Sequence, residues 1–109
     1  MTSVRILKKD NSIVSVECQG HTGYACEGED IVCSALSSIV QTAALGLMQA
    51  AGIDIVYTAK AENGYLKMTL PDKLSKEKRR DADMILNTLY LGIADLHEGF
   101  SDFIELEVK

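Results

Sequence analysis

A chain of 109 residues supports one domain with one modest core, spanning 1–109, and is too short for two cores of ordinary size. With 47% hydrophobic and 25% charged residues it has the composition of a soluble globular protein, which argues against intrinsic disorder. A net charge of −5 opposes direct nucleic-acid binding, which depends on lysines and arginines displacing counterions, and favours a basic protein or peptide as partner.

In chain order, Val4, Ile6 and then Ile13, Val14, Val16 and Cys18 predict two short strands joined by the turn-forming pair Asp10 and Asn11. From Gly20 to Glu29 the apolar period disappears, and Gly20, Gly23 and Gly28 mark a mobile loop. Asp30 is a suitable N-cap for a first helix, in which Val32, Leu36, Ile39, Val40, Ala43, Leu47 and Ala51 recur at helical spacing until Gly52 stops it. Its small residues, Ala43, Ala44, Gly46, Ala50 and Ala51, suit a central helix covered on most sides.

Ile53 to Ala61 and Tyr65 to Leu70 predict a second hairpin across Asn63 and Gly64, a dipeptide suited to a type I′ turn. After Pro71, Ser75 caps a second helix whose face is Ala82, Ile85, Leu86, Leu89, Ile93 and Leu96, ending at Gly99. A last strand follows over Phe103 to Val108. The order ββαββαβ predicts a two-layer α+β sandwich, with two helices packed on one face of a largely antiparallel sheet. The strand order does not follow from the pattern.

The N-terminus lacks a basic segment followed by an apolar run, and polar residues break the apolar stretches short of a membrane span, so no membrane partner is expected. Three cysteines cannot all pair within the chain, which fits a reducing, cytoplasmic compartment.

The chemistry concentrates in Gly20 to Ala35, GHTGYACEGEDIVCSA, where a glycine-flanked histidine precedes an acid-capped helix carrying a cysteine. A thiol in the first turn lies near unpaired N–H groups and the positive end of the dipole, which favour thiolate. Cys33 is therefore a candidate nucleophile, and His21, across the glycine loop, a candidate base and then acid. The bland reading makes Cys33 a small buried hydrophobe and His21 a turn residue. Glu27, Glu29 and Asp30 complement the helix dipole, yet their charges also raise the thiol pKa. His97, near the end of the second helix, is explained by the dipole alone.

Zinc is the rival use of Cys18, His21, Cys26 and Cys33, but the gaps after His21 are wide and Cys33 falls inside a helix, so no metal site is expected. Cys18 reads as an inward strand residue. Cys26 reads as a loop thiol that could be a redox partner of Cys33, although no C-x-x-C spacing is present.

The segment GHTGYACEGEDIVCSALS closely resembles the signature of the ribosomal-processing cysteine protease family, Prp, with its glycine-histidine pair and downstream aspartate-isoleucine-valine-cysteine run. The length and ββαββαβ pattern are similar to that family's small α+β domain. The resemblance implies an endopeptidase that removes the N-terminal extension of a large-subunit ribosomal protein, the one conventionally numbered twenty-seven, during ribosome assembly. It places Cys33 as nucleophile and His21 as base, with Asp30 as helix cap or as a partner orienting His21, and Gly20, Gly23 and Gly28 in a flexible substrate loop. It also implies a homodimer, and no cofactor is expected. Ser34 stands where the motif has alanine, and Cys26 is foreign to it; neither removes a catalytic group. A noncatalytic acidic module escorting a basic ribosomal protein is the alternative from another class.

Overall fold

The computed structural model describes residues 2–20, 29–60 and 64–109, with backbone only at 29 and 30. Strands β1, Thr2–Lys9, and β2, Ser12–Gln19, form an antiparallel hairpin. Asp10 and Asn11 close it with φ of 53° and 67°, the left-handed pair that a tight two-residue turn requires and that these residue types tolerate. The register slips between Leu7 and Lys8, so that Leu7 faces Ser15 while Lys8 faces Ile13, and Val14 is the extra residue of a bulge. Its carbonyl accepts the Leu70 N–H at 2.9 Å.

Helix α1 spans Glu29–Leu45 and widens into a π-helical turn over Gly46–Ala50. It begins one residue before Asp30, which therefore lies within the first turn; the expected start with Asp30 as the residue before the helix is corrected. The far end follows expectation: Gly52, at φ +65°, reverses the chain, and Ile53 N–H reaches Leu47 O at 2.8 Å.

A second antiparallel hairpin follows, β3 Val56–Lys60 with β4 Tyr65–Thr69, its tip at 61–63 lying outside the described residues. Gly64 has φ +61°. Helix α2, Lys76–Gly99, starts where Ser75 Oγ accepts the Lys78 N–H at 3.2 Å, and β5, Ile104–Val108, ends the chain.

The sheet order is β3-β4-β2-β1-β5, antiparallel throughout except where β5 runs parallel to β1. Both helices cover one face. Alternate strand residues Val4, Ile6, Val16, Cys18, Leu66 and Met68 point into a core closed by Val32, Leu36 and Val40 of α1 and by Leu86, Leu89 and Ile93 of α2. On the other face Arg5 lies 3.8 Å from both Glu17 and Glu107, and Tyr65 donates to Glu17 at 2.6 Å. That bond raises the Tyr65 phenol above its ordinary value, helped by burial and the Glu17 charge.

Two expectations for α1 fail. The helix is not covered on most sides, because the sheet takes one flank and α2 another, which leaves Ile31 71% and Leu45 51% exposed. The small residues serve the helix pair instead: a Cβ on Gly46 would lie 3.7 Å from Ile85 Cδ1, and one on Gly92 would lie 3.5 Å from Ile39 Cδ1. Moreover, Ile31–Ala50 is long and apolar enough by length and composition to cross a membrane, with mean hydropathy 1.8, so no apolar stretch being that long does not hold. A third of that segment is buried, on the side that packs against the sheet and α2.

Candidate active site

Cys33 is the fifth residue of α1, just past the first turn rather than inside it. Its half-buried sulfur sits at the end of the sheet where β1 begins and β2 stops. Thr2 Oγ1 is 2.7 Å from Cys33 Sγ, and a Cβ placed on Gly20 would be 3.7 Å from the same sulfur. Thr2 is fixed from the other side, since its N–H donates to Phe103 O at 2.8 Å and it stands opposite Ile104 in the parallel ladder.

Gly20 is not a loose loop residue. Its N–H donates to Gly64 O at 2.9 Å, and a Cβ on Gly64 would fall 3.3 Å from Gly20 Cα. The two glycines thus let β2 and β4 approach at their ends, leaving bare backbone beneath the sulfur. The residue bonded to Gly20 is His21. His21 itself, with Gly23, Cys26 and Gly28, lies outside the described residues, as do the side chains of Glu29 and Asp30.

Cys18, on the inward face of β2, stands two residues before Gly20 and is buried. Burial, then the charge of Glu17 and the neighbouring Cys33, push its thiol up from 9.0 to about 12. It stays protonated at neutral pH, and the thiolate is the reactive form, so Cys18 is unsuited to attack. Of the zinc candidates, Cys18 and Cys33 are described; among the described residues no group of three metal-binding side chains gathers. His97 occupies the last turn of α2, where a cation complements the dipole.

Sequence reasoning missed Thr2 and the pairing of Gly20 with Gly64. Thr2 did carry a signal: it shares the period-two register of Val4 and Ile6, which marks a polar residue pointing inward. The glycine contact had none, because it joins residues on different hairpins.

Residues 1–105 match the family model described as Cysteine protease Prp. The ribosomal processing cysteine protease Prp of Bacillus subtilis is 25% identical over 93 residues, covering 85% of this chain and 83% of that protein. A Staphylococcus aureus Prp solved with a substrate peptide superimposes with TM-score 0.88 at 20% identity over the full length of both chains. A Streptococcus mutans protein does so with TM-score 0.86 at 24% identity, covering 99% of this chain and 93% of its own. The last two likenesses concern the fold. Fold and family match together define a cysteine protease, which sets aside the noncatalytic escort. The chain belongs to the Prp family of ribosomal-processing cysteine proteases.

Proposed function

We propose that the protein removes the N-terminal extension of the large-subunit ribosomal protein conventionally numbered twenty-seven during ribosome assembly, in the cytoplasm, with Cys33 as nucleophile and His21 as base and acid. The observation that carries this reading is the half-buried Cys33 sulfur beside Gly20, whose next residue is His21. The reaction runs in two steps. The Cys33 sulfur attacks the scissile carbonyl carbon while His21 takes its proton and delivers it to the departing amine; water, deprotonated by His21, then attacks the thioester carbonyl, releasing the carboxylic acid product and the Cys33 sulfur, which recovers the proton from His21. No cofactor is required. A net charge of −5 suits a basic ribosomal substrate and opposes direct contact with nucleic acid.

Asp30, in the first turn of α1, complements the dipole and is assigned either that helix-end role or the orienting of a protonated His21. Gly23 and Gly28, with Gly20 as the fixed end, belong to the substrate loop. The Staphylococcus aureus relative solved with a covalently linked product peptide accords with covalent catalysis here. The active form is a homodimer: Met84 of α2, 68% exposed, lines an apolar groove of about 540 Å³ between α1 and α2, and Leu91 on the same helix is 67% exposed. Intact-mass analysis of the extended precursor after incubation with the protein tests the activity, and sedimentation tests the dimer.

A further inference from the structure

We infer that the Thr2 hydroxyl positions the Cys33 sulfur and donates a hydrogen bond to it when the sulfur is deprotonated. This rests on Cys33 being the nucleophile. Thr2 is only 3% exposed, so its hydroxyl has little access to water and needs a protein partner. Among the described residues that partner is Cys33 Sγ, at 2.7 Å. The geometry is rigid on the threonine side. A β-branched side chain has few χ1 states, and the strand carrying it is held to Phe103 O and paired with both β2 and β5.

A thiolate has no proton to give, so the hydroxyl must be the donor to it, and a hydrogen bond to an ionised acceptor is stronger than a neutral one. In the protonated state the same pair can bond with the direction reversed, because a hydroxyl also accepts. The contact thus persists through both protonation states and holds the sulfur over the Gly20 backbone, one residue from His21. When the sulfur becomes a neutral thioester, the charge-assisted part of the bond is released. Thr2 is then a group that acts on the reacting atom rather than on the fold.

Two variants separate these roles. Thr2→Val keeps shape and strand propensity but removes the hydroxyl; Thr2→Ser keeps the hydroxyl and loses a methyl group. Each is assayed for kcat and KM on the extended ribosomal precursor and for the rate at which iodoacetamide alkylates Cys33, read by peptide mass. Thr2→Val should lower kcat about tenfold or more, the loss expected for a hydrogen bond to a charged group, with KM nearly unchanged and alkylation slowed. Thr2→Ser should restore most of both rates. Wild-type kcat and alkylation in Thr2→Val, or equal loss in folded Thr2→Val and Thr2→Ser, overturns the role while leaving Cys33 in place. If Thr2→Val fails to fold by circular dichroism, Thr2→Ala supplies the same two readings. Normal cleavage by Cys33→Ala would overturn the nucleophile assignment and the Thr2 role with it.

Discussion

The two described cysteines are separated by their surroundings rather than by their type. Cys18 is closed in by the helices over β2, whereas Cys33 is half-buried at the end of the sheet where β1 begins. Iodoacetamide at neutral pH should therefore modify Cys33 and spare Cys18 in the folded protein; peptide mapping that finds Cys18 modified first would reverse their ranking. His21→Ala should lose about a hundredfold or more in turnover, the usual scale for general acid-base catalysis, and turnover near wild type would transfer the role to another group. Asp30→Asn removes a charge while keeping a short polar side chain at the helix start. If Asp30 orients His21, turnover falls while the melting temperature hardly moves; unchanged turnover confines it to the helix end. Cys33, Gly20 and His21 could be nominated from the sequence because the helix start, the cysteine and the glycine-histidine pair are local to one segment. Thr2 was not, since its contact with Cys33 crosses 31 positions and a single inward threonine has no chemical signature of its own.

Between elements, two glycines of nearly equal φ offer a controlled comparison. Gly52, at φ +65°, has open space around a would-be Cβ, so Gly52→Ala should cost about 1 kcal/mol of backbone strain and leave turnover intact. Gly64, at φ +61°, adds a 3.3 Å approach to Gly20 Cα, so Gly64→Ala should be more destabilising and should also lower turnover by displacing the backbone beneath Cys33. Chemical unfolding and the cleavage assay, run on both variants, give the answer; equal effects on turnover would detach the glycine contact from the site. The first hairpin's turn at Asp10 and Asn11 and the caps at Ser75 and Gly52 were readable because each is fixed by one or two residues acting locally. The strand order, with β2 central and β1 between it and a parallel β5, depends on which hydrophobic faces meet after the chain has crossed the sheet, and no single segment encodes that. The outer face of α1 was misread for the same kind of reason: apolar periodicity marks a buried side but does not say how many neighbours the fold supplies.

For the molecule as a whole, the burial of Cys18 ties stability to alkaline pH. Burial pushes its thiol up from 9.0 to about 12 in the folded chain, so between those values the native state binds the extra proton. The contribution is fully present below the unfolded value and declines as pH rises, by up to about 1.4 kcal/mol per pH unit. Cys18→Val should flatten that part of the profile in urea unfolding; an identical slope in both proteins would show that Cys18 does not set it. Sedimentation at several concentrations should give a dimer, and Met84→Glu, which places a charge beside the apolar groove, should shift it toward monomer. Cleavage of a ribosomal precursor by the Cys33 thiol is read from one experiment: incubating the extended precursor with wild-type protein and with Cys33→Ala and weighing the products intact. The N-terminal extension should be lost with wild type only. An unchanged precursor mass with wild type, or the same loss with Cys33→Ala, would contradict it.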